Sequence, residues 1–364
     1  MFKFPVFIVL LLLSFTGFAN SSLQISVDLE SARANVAVLG KKSVSDQALN
    51  QLADLYGNQQ LIRKVKGYSG AGREVFISTL KELVTTGAIK GNDPYDWRSV
   101  QKAAADIKAL ITRIDADTAG FLRDIKAMIA PYAPAGLDIT VKACFLAGGG
   151  ALGFTWGGEP TFNVAMHKLH NDLPGTKLLV AHELYHIVQY AGQAKLPWPA
   201  KDERPQYLQA TEGLLENLWS EGTANLVGDF TGVTGGSDFA REQITEFTKN
   251  SDRRRENFAL FEAILYKSYW DTASHRYEQH YNICFSTAFD ETAYFTGYEM
   301  AKAIQQYHGK EAVAAQVLAH PLLFIDSYIK LYKEVTDKKL IRFDASTEKI
   351  VEELMALRKQ AAGQ

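Results

Sequence analysis

Residues 176–192 read TKLLVAHELYHIVQYAG, and the rest of the chain is read outward from them. Within this stretch His182, Glu183 and His186 form the pattern H-E-x-x-H. Four residues carry an α-helix through about 400°, so the two imidazoles emerge about 40° apart on one face, one turn apart. Both then reach a single metal ion. Glu183 lies about 100° round from His182, close enough to act on metal-bound water without becoming a ligand. Val180, Leu184, Ile187, Val188 and Ala191 make the opposite face apolar, which gives the helix a core side and a site side.

Two histidines leave a tetrahedral catalytic zinc one protein ligand short. The next helical segment, TEGLLENLWSEGTANLV at 211–227, offers Glu212, Glu216 and Glu221. Glu221 is followed by Gly222, Thr223 and Ala224, and small residues there let this helix pack closely against the metal helix. With apolar Trp219 and Leu226 around it, Glu221 is the favoured third ligand. His167 and His170 precede a turn signal at Asp172–Gly175, where histidines are commonly solvated. The expectation is one zinc per chain, on His182, His186 and Glu221.

The surroundings set the fold class. Ser45 caps a helical segment carrying Leu49, Leu52 and Leu55, and Gly72–Val84 repeats apolar residues at helical spacing. Asp93 and Pro94 read as cap and first turn of a helix running to about Ile111. Thr118–Ile129 is a further helix, ended by Pro131 and Pro134. The period then changes: Leu137–Leu146 (LDITVKACFL) reads as a strand, and GFTW and TFNVAM as two more. From Thr176 the helical period returns and dominates to the C-terminus. Segregated helices and strands argue α+β, predominantly helical, with a small mixed sheet beside the H-E-x-x-H helix. The expected divisions are 20–135, mainly helical, and 136–364, the catalytic region. Within the latter the sheet spans 137–166, the metal helix 176–191 and the third-ligand helix 211–227.

H-E-L-Y-H followed by a helix carrying W-S-E-G-x-A resembles the gluzincin branch of the zincin metallopeptidases. The chain as a whole resembles exported bacterial proteins described as zinc-dependent peptidases, with further likeness in FTGYEMAKAI at 295–304. The resemblance implies that His182, His186 and Glu221 bind zinc and that Glu183 is the general base. It also implies a zincin-like fold and peptide or protein substrates. The stretch LAGGGALGFTWGGEPTFNV at 146–164 lacks the lysine–serine/threonine ending of a phosphate loop and reads as a hairpin. In zincins an edge strand beside the zinc helix receives substrate backbone. Metzincins add a third histidine soon after the motif, whereas none follows His186 here until His275.

Tyr294 and Tyr298 lie one helical turn apart, and a tyrosine hydroxyl near the metal would donate to a developing oxyanion. Tyr298 is the candidate chosen; His275 and His280 are weaker alternatives.

Residues 1–19, MFKFPVFIVLLLLSFTGFA, show a short positive start, an apolar core and small residues before a cleavage point, as a signal peptide does. A periplasmic or secreted protein is expected, without stable membrane insertion after cleavage near Ala19. Export would expose Cys144 and Cys284 to an oxidising compartment, where either a single disulfide or two buried thiols is compatible with the sequence. The 364 residues carry a formal charge of −2 and are 47% hydrophobic, which excludes a disordered chain and gives no reason to expect nucleic acid. The reading is an exported zinc metallohydrolase acting on peptides. A zinc hydrolase with non-peptide substrates and a non-catalytic exported zinc-binding protein remain as alternatives.

Overall fold

The computed structural model describes residues 22–156, 159–196, 203–234 and 236–361; the leader-like segment 1–19 lies outside them. Among the described residues strand β1 (Ser22–Asp28) comes first and is followed by seven α-helices. These are α1 (Glu30–Leu39), α2 (Asp46–Ala53), α3 (Tyr56–Ser69), α4 (Arg73–Thr86), α5 (Trp97–Lys102), α6 (Ala104–Ala116) and α7 (Thr118–Ile129). The chain then forms β2 (Asp138–Leu146), β3 (Gly153–Thr155) and β4 (Thr161–Ala165). Nine further α-helices follow among the described residues: α8 (Leu173–Gln193), α9 (Gln206–Val227), α10 (Asp238–Asp252), α11 (Arg254–Trp270), α12 (Tyr277–Phe285), α13 (Thr292–His308), α14 (Lys310–Ala315), α15 (Pro321–Glu334) and α16 (Ala345–Ala361). The fold is α+β and predominantly helical, as the sequence pattern indicates. No helix among the described residues is long and apolar enough to cross a membrane.

Local chemistry accounts for several helix starts. Ser45 accepts the Ala48 N–H at 3.2 Å and Asp117 accepts the Gly120 N–H at 2.7 Å, each satisfying a donor that a helix N-terminus leaves unpaired. Helix α8 opens at Asp172, whose side chain accepts the Gly175 N–H at 2.8 Å, with proline in the first turn. The other carboxylate oxygen of Asp172 accepts from Ser237 Oγ and Ala240 N, which ties the start of α8 to the start of α10.

The four-stranded sheet has the order β1-β2-β4-β3. β1 and β4 run parallel to β2, while β3 is antiparallel to β4 and forms one edge, with β1 at the other. The expected hairpin and mixed sheet are both present, and β1 is an additional strand that the sequence reading did not contain. It pairs from Ser22↔Asp138 to Asp28↔Cys144, a partner more than a hundred residues away. The helix expected from Asp93 to Ile111 is instead two helices broken at Ala103, and it begins at Trp97 rather than Pro94. The reason is Asp96, which adopts a left-handed backbone (φ 54°) just before the first turn. Asp93 still serves the helix, accepting the Arg98 N–H at 2.9 Å.

Helix α8 packs across the sheet and against α7 and α9. Helix α9 is the hub of the C-terminal half, with α8, α11, α13 and α15 against it. Cys144 and Cys284 are both buried free thiols, with burial pushing each up to about 12.

Candidate metal centre

Helix α8 presents His182 and His186 on one face, and α9 crosses it so that Glu221 meets them. Glu221 Oε2 lies 3.2 Å from His186 Nε2 and 3.5 Å from His182 Nε2. The imidazole rings stand nearly perpendicular, 5.0 Å apart between centroids. Gly228, just beyond α9, lies against His182: a Cβ there would be 2.8 Å from the His182 Cβ. The three donor atoms fall within 4.8 Å of one another, and a two-imidazole, one-carboxylate set is one that zinc takes.

Electrostatics couple the three groups. Burial alone would lower the pKa of His186, but the adjoining Glu221 carboxylate overrides it and raises it to about 9. Burial would raise the pKa of Glu221, but the two histidines hold that carboxyl far below the usual carboxylate range. The site therefore holds a carboxylate that stays ionised beside two imidazoles. Glu183 differs: burial raises its pKa, reinforced by Glu221 and opposed by the two histidines. A carboxylate displaced upward is a stronger base near neutral pH.

All four residues line a cleft of about 1090 Å³. The edge strand contributes Gly153, Phe154 and Thr155 to its wall, α10 supplies Glu242 and Glu246, and Glu291 and Tyr294 come from just before and within the first turn of α13. Residues 152–155 belong to the glycine-rich stretch, and the edge of β3 not paired with β4 has no strand against it among the described residues.

The structure separates the two tyrosines. Tyr298 does not line the cleft: it is 2% exposed, packs edge-on against Phe247, and donates its hydroxyl to Asp229 Oδ2 at 2.8 Å. Tyr294, one turn earlier, lines the cleft, and its pKa is raised by burial and by Glu221. The choice of Tyr298 is corrected on that ground, because its hydroxyl is already engaged away from the site. His275 is exposed and His280 is buried on α12 against Tyr277; neither lines the cleft.

His167 is not a solvated loop histidine. Its side chain is 1% exposed, with Nε2 3.3 Å from Asp96 Oδ2 and Nδ1 accepting the Gly148 N–H. The small flank of Glu221 serves two helices, with Thr223 accepting from Gln189 of α8. Gly222 meets Gly297 of α13 rather than the metal helix.

Glu212, Glu216 and His320 form a second group of metal-type side chains. Glu212 already pairs with Arg204 and with Arg358 Nε, the latter at 2.5 Å, and the two guanidinium charges oppose a cation there. His320 Nδ1 accepts the Leu322 N–H, which leaves its proton on Nε2 facing Glu212. This group is an ion-pair network joining α9, α15 and α16.

Gln189 and Tyr190 lie outside the H-E-x-x-H pattern and join the site only in the fold. Tyr190 lines the cleft and is 59% exposed. Gln189 is buried against His186 Nδ1. Its only sequence signal is its place one turn after His186, on the same face.

A family model, described as "Putative zinc dependent peptidase (DUF5700)", matches residues 49–337, which hold the sheet from β2 onward, α8, α9 and the whole cleft. The chain belongs to that family. It is therefore placed among zinc-dependent peptidases. No curated protein and no solved structure matches the chain.

Proposed function

We propose that this chain is an exported peptidase of gluzincin type, with one zinc held by His182, His186 and Glu221 and with Glu183 as general base. The observation that carries the proposal is the approach of Glu221 Oε2 to both imidazole Nε2 atoms, with Glu183 on the same cleft wall. Zinc held by that set supplies a Lewis acid for the scissile carbonyl and lowers the pKa of water to about 7.

The remaining chemistry belongs to this chain's own residues. The Glu183 carboxylate takes the proton of the attacking water and passes it to the leaving amine. Tyr294 replaces Tyr298 as the hydroxyl that donates to the developing oxyanion, because it lines the cleft and carries its proton throughout the working pH range. The open edge of β3 gives an extended peptide backbone a row of hydrogen-bonding groups, which favours peptides over other acyl substrates. Export rests on the signal-peptide pattern at 1–19.

Digestion of a mixed peptide library tests this reading. Cleavage that stops with a chelator and returns on adding zinc supports it. No cleavage of any peptide by the zinc-loaded chain contradicts it.

A further inference from the structure

We infer that Gln189 is a positioning residue that fixes which nitrogen of His186 is bare and holds α9 in register with α8. This rests on the zinc reading of the site and goes beyond it, since Gln189 touches neither a substrate nor a metal.

Gln189 Nε2 donates to the Ser220 carbonyl at 2.9 Å and to Thr223 Oγ1 at 2.7 Å. A carbonyl only accepts, so the amide orientation is determined by that contact. Thr223 Oγ1 gives its own hydrogen to the Trp219 carbonyl at 2.9 Å and is left to accept from Gln189. Both hydrogens of Nε2 are thereby used, and Oε1 must face His186.

Oε1 lies 2.8 Å from His186 Nδ1. Ser220 Oγ, 3.1 Å from the same nitrogen, donates to Gln189 Oε1 at 3.0 Å and so presents a lone pair to the ring. Every neighbour of Nδ1 is therefore an acceptor, and Nδ1 carries a hydrogen. In the neutral ring Nε2 is then the bare nitrogen, and it faces Glu221 Oε2 at 3.2 Å. Gln189, 2% exposed, has no water to compete for these bonds. Its two acceptors, Ser220 and Thr223, flank Glu221 in sequence. One amide thus orients a histidine on α8 and clamps the turn of α9 that carries the carboxylate.

The test compares the zinc affinity of the full chain and of Gln189→Met by chelator competition. Methionine keeps length and apolar packing and removes all four hydrogen bonds. Loss of such an orienting partner lowers metal affinity by about 10- to 100-fold. In proton–nitrogen spectra of the zinc-loaded chain, the His186 Nδ1–H signal should be protected from exchange, and it should lose that protection in Gln189→Met. Affinity within about twofold of wild type, or an unchanged Nδ1–H signal, overturns the inference.

If Gln189→Met does not fold, Thr223→Val removes one acceptor of Nε2 at nearly constant volume. An affinity loss of about threefold supports the inference and wild-type affinity overturns it. His186→Ala separates the two levels of the argument. Wild-type zinc affinity in that variant overturns the zinc reading and this inference together. Loss of zinc in His186→Ala with none in Gln189→Met overturns only the role of Gln189.

Discussion

Gly222 and Gly297 touch backbone to backbone: a Cβ on Gly222 would lie 2.2 Å from the Gly297 carbonyl carbon. A Cβ on Gly297 would in turn lie 2.0 Å from the Leu218 carbonyl oxygen. Helices α9 and α13 therefore approach as closely as glycine allows. That approach brings Tyr294 to the same cleft as Glu221, one residue before Gly222.

Gly297→Ala should destabilise the fold by about 3 kcal/mol, because the atoms a methyl group would meet are backbone rather than movable side-chain ends. Denaturant unfolding of the two chains gives the comparison. A midpoint equal to wild type would show that α9 and α13 part at little cost.

The two tyrosines give opposite expectations. Tyr294→Phe should lower turnover on the order of 10²-fold with zinc retained, since it removes a donor in the cleft. Tyr298→Phe should leave turnover within about threefold and lose about 1–2 kcal/mol of stability with the Asp229 hydrogen bond. Steady-state kinetics and thermal melts on both variants decide, and the reverse pattern would return the oxyanion role to Tyr298.

The fold class was legible because it depends on period. The apolar stripe of α8, the cap at Ser45 and the end of α7 at Ile129 are all local signals. Strand β1 escaped notice although Ser22–Asp28 alternates polar and apolar residues, because it stands alone directly after the leader-like segment and its parallel partner β2 lies more than a hundred residues away. His182, Glu183 and His186 stand out through helical spacing alone. Glu221 could be chosen from its small flank, of which Thr223 contacts Gln189 of α8 while Gly222 meets Gly297 of α13. Tyr294 and Tyr298 are indistinguishable by spacing. What separates them is Asp229, which draws the Tyr298 hydroxyl away and which no pattern within α13 reveals.

His320 should make stability fall on acidification. Burial and Arg358 lower its pKa to about 4, against opposition from Glu212. The unfolded chain, titrating near the ordinary value of about 6.5, binds the proton first as pH falls. Stability contributed by the neutral ring is present above about pH 6.5 and is lost between there and pH 4, in total roughly 3 kcal/mol. His320→Asn keeps an N-cap acceptor and removes the titration. Unfolding free energies at pH 7 and pH 4 should differ less in that variant than in wild type by about this amount. An identical pH dependence in both chains would remove His320 from the account.

Glu183→Gln should bind zinc as tightly as wild type and lose hydrolysis by at least about 10²-fold, since an amide keeps the shape and cannot take a proton. Peptide cleavage by the zinc-loaded variant is the readout. Near-wild-type turnover would exclude Glu183 as the base.

The central claim is that His182, His186 and Glu221 hold one zinc. An anomalous difference map at the zinc edge, from crystals of the zinc-loaded chain, tests it most directly. The account predicts one strong peak per chain, about 2.0–2.2 Å from His182 Nε2, His186 Nε2 and a Glu221 carboxylate oxygen. A peak elsewhere, or none at these three residues, would contradict it.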